Sequence, residues 1–286
     1  MSTKVLVGDE LGLLKCVDIE KKVVLGKFGE MKKKNGVVGI DNLFESNKEV
    51  LAVAHQQNFY VMNWKEGQIK SQSELNLNEK TLITSQVVKR TIDFSSAVLS
   101  RSDNKLSVFR YDEELNLTPQ EVEIKTLKLQ GLRDAASTQE VFCLFKDTPI
   151  SIFDLEKGDF SWRAKNVLND ELDLKVPIYD TDVAYSKQSP NLFYTATGYG
   201  EIRTYDRKTR PRPMHDKKVF DRKINRMVLS NCENYLTVGD TVGHVFMLDK
   251  RKSKYLTSFI LFRLRCFQVH EKYHWRRQRH PPYQRI

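Results

Sequence analysis

The sequence predicts an all-β fold in which one small sheet is used again and again. Three observations carry that expectation: a hairpin pattern that returns six times, an apolar–polar alternation inside each copy, and turn-forming residues at each reversal. The copies are KVLVGDELGLLKCVD (4–18), EVLAVAHQQNFYVMN (49–63), SAVLSRSDNKLSVFR (96–110), VFCLFKDTPISIFD (141–154), LFYTATGYGEIRTYD (192–206) and YLTVGDTVGHVFMLD (235–249). Their last residues are Asp18, Asn63, Arg110, Asp154, Asp206 and Asp249, with spacings of 45, 47, 44, 52 and 43. A period of roughly 40–45 residues with three or four short strands per unit is that of a β-propeller of the WD-repeat kind. Helical solenoids of similar period are excluded, because the units are rich in β-branched and aromatic residues and run with period two.

The elements follow in order. In the first hairpin Val5 and Val7 share one face; in the fifth, Phe193, Thr195 and Thr197 share one face and Tyr194 and Ala196 the other. At the reversals Asp9, Asp103, Asp147 and Asp240 can bond back to their own backbone, and Gly12, Gly198, Gly200 and Gly243 tolerate positive φ. A further apolar strand precedes several hairpins, at 37–44, 178–185 and 224–229. The WD dipeptide itself is absent: the tryptophan position holds Val17, Met62, Phe109, Phe153, Tyr205 and Leu248. The fold therefore rests on the period. Six units are recognisable. The first starts almost at Met1, so its missing strand is expected from the far end of the chain, which closes a propeller and removes sheet edges.

Composition narrows the class. Forty per cent hydrophobic residues exclude a disordered chain. The longest apolar candidate, 255–262, is far below the roughly 20 residues of a membrane span, and the N-terminal segment shows no apolar signal core. A soluble protein without a membrane partner is expected. Of the 47 Lys/Arg and 37 Asp/Glu, eleven and one fall in 250–286, so the net charge of +10 belongs to that segment and the body is balanced. Cys16, Cys143, Cys232 and Cys266 are far apart, which points to buried reduced thiols and to neither a disulfide framework nor a zinc site.

The segment 162–185 reads WRAKNVLNDELDLKVPIYDTDVAY and fills the longest gap between hairpins. Through 163–167, Asn169-Asp170, 172–174, 176–178 and Thr181-Asp182 it resembles the signature of the WD repeat-containing protein 74 family, which includes a fungal counterpart. The stretches 7–19, 195–214 and 238–249 are similar to the family's first, fifth and sixth hairpins, so the resemblance spans about 4–270. It implies a seven-bladed propeller without catalytic activity, cofactor or metal. It also implies a nuclear and nucleolar location and a scaffold role in biogenesis of the large (60S) ribosomal subunit and its rRNA processing. The implied partners are pre-ribosomal particles, an AAA-type ATPase and a nuclear exosome-linked RNA helicase. The domain expected is 1–270, with its last blade incomplete. In it 264–270 resembles the first strand of the seventh blade, and 271–286, which has no alternating apolar pattern, is an irregular basic tail outside the propeller. A generic WD-repeat adaptor in a ubiquitin-ligase or RNA-decay complex is the alternative, and a propeller-borne hydrolase or metal enzyme a more distant one.

Three sets of residues are candidate sites. In the long connection, Arg163, Lys165, Asn166, Asn169, Asp170 and Asp173 are expected to form a partner-docking loop, since loops on a rigid scaffold carry function. Arg203, Arg207, Lys208, Arg210 and Arg212 open a stretch, 203–226, with ten Lys/Arg against three acids; they are candidate rRNA phosphate contacts, because guanidinium groups grip phosphate. No aromatic–basic interleaving is visible there, so base recognition is not expected. Short basic runs at 32–34 and 250–254 could serve nuclear import. His270-Glu271-Lys272-Tyr273-His274 matches HExxH, but a strand-like run precedes it and Pro281-Pro282 follow, so the match is read as coincidence.

Overall fold

The computed structural model describes residues 4–33, 35–44, 49–73, 81–90, 95–112, 117–123, 128–250 and 254–260. The strand proposed at 264–270, the HExxH match, the tail 271–286, Cys266, Lys34 and 251–253 lie outside the described residues. The described residues hold 23 strands in six antiparallel sheets and no helix. Sheet A is β1 (Lys4–Gly8), β2 (Leu14–Asp18) and β3 (Val23–Phe28). Sheet B is β4 (Val37–Asn42), β5 (Val50–His55), β6 (Phe59–Asn63) and β7 (Gln68–Ser73). Sheet C is β8 (Ile83–Arg90), β9 (Ser95–Arg101), β10 (Lys105–Tyr111) and β11 (Leu117–Glu123). Sheet D is β12 (Leu129–Asp134), β13 (Glu140–Phe145), β14 (Ser151–Asp154) and β15 (Asp159–Arg163). Sheet E is β16 (Asp180–Tyr185), β17 (Leu192–Thr197), β18 (Glu201–Asp206) and β19 (His215–Lys218). Sheet F is β20 (Ile224–Leu229), β21 (Tyr235–Asp240), β22 (His244–Asp249) and β23 (Lys254–Ile260). Every sheet follows chain order. The six hairpins read from the sequence are β1–β2, β5–β6, β9–β10, β13–β14, β17–β18 and β21–β22, and the preceding strands are β4, β16 and β20.

The sheets stack because period two splits each strand between two neighbours. In β5, Val50, Ala52 and Ala54 pack toward sheet C, while Leu51 and Val53 pack toward sheet A. In β9, Ala97 and Leu99 face sheet B, and Val98 faces sheet D. In β13, Val141, Cys143 and Phe145 meet sheet C, and Phe142 and Leu144 meet sheet E. In β17, Phe193 points to sheet D, and Tyr194 and Ala196 point to sheet F. Rings anchor these contacts: Phe59 stacks on Phe109 at 5.2 Å, and Phe193 stacks on Tyr205 at 5.1 Å with Trp162 edge-on at 5.5 Å. The first strands of consecutive four-stranded sheets, β4, β8, β12, β16 and β20, pack against one another in turn. This is the serial arrangement of a WD-type propeller.

The repeat is also written in the backbone. Each of β4, β8, β12, β16 and β20 carries a bulge at the same place, just after its first pair with the next strand. The residue ending most hairpins is a turn-former. Asp18 accepts from the amide of Lys21, Asn63 from Lys65 and Glu66, Asp154 from Glu156 and Lys157, and Asp206 from Lys208. These side chains satisfy the amides of the tight reversal into the fourth strand.

Charge pairs tie the packed first strands together. Arg90 of β8 reaches Asp41 of β4 at 2.5 Å, Lys89 of β8 reaches Asp134 of β12 at 2.5 Å, and Arg133 of β12 binds Asp182 of β16. Asp182 also accepts the amide of Met227 in β20 at 2.7 Å, with Arg226 at 3.8 Å. One buried carboxylate thus joins sheets D, E and F.

Several expectations are corrected. Trp162 and Arg163 belong to strand β15, so the connection to sheet E begins at residue 164 and Arg163, expected in the docking loop, stands at the end of the outer strand of sheet D. Gly12, Gly200 and Gly243 do have positive φ, but Gly198 does not; its role lies in packing, described below. Cys16 and Cys143 are buried free thiols, whereas Cys232 is exposed, because it sits in the β20–β21 turn beyond the core.

Replacing Asp182 by alanine leaves Arg133 and the Met227 amide without their acceptor. Breaking a buried pair from one side costs about 3–5 kcal/mol. Urea denaturation of Asp182→Ala should show that loss, and a near-unchanged midpoint would show that the three sheets do not depend on this carboxylate.

Candidate functional site

The two stretches singled out in the sequence meet in space. After β15 the chain crosses from the outer strand of sheet D to the first strand of sheet E. On the way the amide of Lys165 donates to the carbonyl of Pro211 at 2.9 Å, and Arg212 donates to the carbonyl of Asn166 at 2.5 Å. The connection 164–179 is therefore fastened to the β18–β19 connection, 207–214.

Within it, polar side chains wire the loop to itself. The Asn166 amide donates to the carbonyl of Val176 at 2.7 Å. Asp170 accepts the amides of Leu172 and Leu174 at 3.0 and 2.8 Å, and Asn169 donates to the Asp173 carboxylate at 2.8 Å. Backbone bonds from Asp170 to the Leu174 carbonyl and from Asp173 to the Asp170 carbonyl, both at 3.0 Å, close the turn, with Asp173 at φ 58°. Asp residues tolerate this left-handed conformation because a short polar side chain can bond locally.

What the wired loop presents outward is apolar. Leu168, Leu172 and Leu174 are 74, 78 and 58% exposed. Of the polar candidates, Arg163 and Lys165 remain on the surface, Arg163 over the Phe160 ring at 4.3 Å; Asn166, Asn169, Asp170 and Asp173 shape the loop. The leucines are the residues that a reading of polar side chains passes over. Their signal is three leucines in seven residues with no strand alternation to bury them.

The basic stretch is rearranged more strongly. Arg203 is 1% exposed, a correction to its assignment as a phosphate contact: in β18 it is held between Glu201 at 2.8 Å and Asp216 at 3.2 Å. Arg207 makes two bonds to Glu140 of sheet D, at 2.7 and 2.9 Å, and so joins two sheets. Arg212 is spent on the loop, and Arg210 on the carbonyls of Pro213 and Met214. Lys208 stands exposed. The line of arginines in the sequence is thus mostly structural wiring around sheet E. Among the described residues no three His, Cys, Asp or Glu side chains gather into a group that could hold a metal ion.

The fold and this surface define a class: an all-β, repeat-built protein whose small antiparallel sheets hold their connecting loops out into solvent. No family model matches the chain. It is 25% identical over 298 residues to ribosome biogenesis protein nsa1 of Schizosaccharomyces pombe, covering 90% of this chain and 75% of the yeast protein. It is 35% identical over 113 residues to human WD repeat-containing protein 74, covering 39% of this chain and 29% of the human one. It is 46% identical over 72 residues to ribosome biogenesis protein NSA1 of Meyerozyma guilliermondii, which is 18% of that protein. The chain is thus similar to Nsa1 along most of its length and to WD repeat-containing protein 74 over part of it.

Next to Arg203 lies Asp180, also buried. It accepts the Ile150 amide at 3.1 Å through one oxygen, and the other has no partner. Burial pushes its carboxyl up to about 6 despite the pull of Arg203, against an ordinary 3.8. The folded state holds a proton there that the unfolded chain has released, so this stabilisation is present below pH about 4 and lost as pH rises through about 6. Asp180→Asn should remove that part of the slope. Urea midpoints of variant and wild type between pH 4 and 7 check it; parallel curves would contradict the burial argument.

Proposed function

We propose that the chain is a non-catalytic scaffold in biogenesis of the large ribosomal subunit. It works in the nucleus and nucleolus, docking on pre-ribosomal particles and presenting the 164–179 loop to a protein partner. The names of the relatives support the pathway, since the similarity to a ribosome biogenesis protein runs through 90% of this chain. The observation that carries the docking role is the loop itself: eight hydrogen bonds described above hold three exposed leucines in one geometry. A preorganised apolar knob binds without a large ordering cost. The partner is a protein with an apolar cleft. The AAA-type ATPase implied by the family resemblance is the first candidate occupant and an exosome-linked RNA helicase the second. Lys208 and Arg210, the candidates nearest solvent, would add non-specific contact with rRNA phosphates.

A seventh blade between sheets F and A belongs to the same proposal. The central hairpin strands β5, β9, β13 and β17 are buried on both faces, but β21 reads iBiBiB from residue to residue, only its sheet E face being fully buried, and β1 is nowhere fully buried. Sheet A has three strands where the others have four. Both terminal sheets therefore offer faces shaped for one more neighbour.

The test is sedimentation of the full chain with large-subunit precursors. Leu168→Asp with Leu172→Asp should shift it to the free fraction without lowering its melting temperature, because both side chains are already in water. Arg163→Glu with Lys165→Glu should weaken association less. Unchanged sedimentation of the leucine variant would remove the loop as the docking element.

A further inference from the structure

On the same sheet, a second surface combines an exposed ring with several cations. The β17–β18 turn carries Tyr199, 44% exposed, between two glycines that are required for different reasons. A Cβ on Gly198 would lie 2.0 Å from the Tyr179 ring, and one on Gly200 would lie 2.0 Å from the carbonyl of Phe220, where φ is also +80°. The absence of side chains lets Tyr179 close on the turn from one side and the 219–222 segment from the other. The amides of Val219 and Phe220 both bond the Gly200 carbonyl, at 2.8 and 3.0 Å, and the Thr197 hydroxyl accepts the amides of Tyr199 and Glu201. Tyr199 packs edge-on to Tyr179, with centroids 6.2 Å apart. The ring is therefore fixed in place while one side stays in solvent.

Cations surround it. Lys223 lies over the Tyr179 ring at 4.8 Å and donates to its hydroxyl at 2.6 Å. Arg222 and Lys218 have side chains 55 and 62% exposed. Most acids of the neighbourhood are committed elsewhere, and the one that reaches Arg222, Asp240 at 3.7 Å, does so at an exposed guanidinium where water and salt weaken the contact. Glu201 and Asp216 hold Arg203, and Asp240 accepts three turn amides and His244. Asp221 pairs with Lys218 at 3.2 Å but is itself 95% exposed, a contact that water and salt weaken readily.

We propose that this turn is a single-stranded RNA contact: an unpaired base stacks on Tyr199, and Lys218, Arg222 and Lys223 meet the flanking phosphates. A fixed ring among exposed cations suits a base and its phosphates, whereas an apolar protein cleft is served by the leucine loop. Stacking of this kind tolerates any base, since every base has a π-face. The site is distinct from the Lys208–Arg210 surface and does not depend on the chain's role in ribosome assembly.

The experiment is binding of the purified full chain to a labelled oligouridine of roughly 12 nucleotides, within the site sizes common for such grooves, at several salt concentrations, with an RNA duplex in parallel. Tyr199→Ala should weaken single-strand binding on the order of tenfold with the salt slope unchanged, and Tyr199→Phe should bind as wild type. Lys218→Ala with Arg222→Ala should lower the slope by about one to two. Because Tyr199 is half in water, melting curves of its variants should match wild type. Tyr199→Ala binding as well as wild type, equal affinity for duplex, or no binding by the folded chain at low salt would each overturn the proposal. Failure here leaves the particle-association test standing, because that test reads the leucine loop.

Discussion

Each interior sheet of this protein has to bury both of its faces, and a strand can do so only by handing alternate residues to opposite neighbours. That constraint explains why β5, β9, β13 and β17 are apolar almost throughout, where a sheet with one wet face would alternate with polar residues. It also explains why the sheets are small. A sheet packed on both sides can grow only outward along its own edge, so strands beyond the third reach solvent: β15 and β19 are largely exposed. The chain gains core by adding another sheet and not by widening one.

Where the first strands of the sheets converge, apolar packing gives way to buried charge. Lys89 shows the balance. Burial pushes its ammonium down from the usual lysine range, the Asp134 carboxylate counters this, and the Ala135 and Ser137 carbonyls take its remaining protons at 2.7 and 2.8 Å. A pair of this kind, with Lys89 buried and Asp134 half in water, adds little net stability against an apolar replacement. What it does is fix register, because Arg90, Lys89, Arg133 and Asp182 each find a partner only when neighbouring sheets stand at one height. Combined with a bulge at one shared position, the pairs make consecutive sheets superimposable units.

The hairpins were legible in the sequence because two-sided burial writes long apolar runs that end in an Asx turn. The fourth strands were not. β19 is HDKK, an edge sequence with no alternation, and β15, DFSWR, alternates over only two apolar residues, Phe160 and Trp162, too few to stand out in a sequence. The long connection was legible as a location, but the roles of its side chains in the fold were not. A 52-residue spacing located the long connection, but the side chains of Asn166, Asn169, Asp170 and Asp173 are engaged within the loop itself, bonding its backbone and one another. Arg203 misled for a related reason. It alternates with Ile202 on a strand buried on both sides; period two already puts Glu201 on its face, but only the fold shows that Asp216 of β19 stands opposite it.

Around sheet E one structural device recurs twice. On one side the backbone of the 164–179 connection is held by Asx turns, so leucines that gain nothing by being exposed stay in water. On the other, Gly198 and Gly200 let Tyr179 and the 219–222 segment clamp a turn whose Tyr199 ring stays half in water. In both places the polar or glycine residues do the holding and the apolar or aromatic side chain is left in water. A surface held in that way needs little reordering when a partner arrives, and the entropy that would otherwise oppose binding has already been lost on folding. Substitutions in the holding residues should then act as loosening of the surface, and substitutions in the exposed residues as loss of contact, a distinction set by the fold.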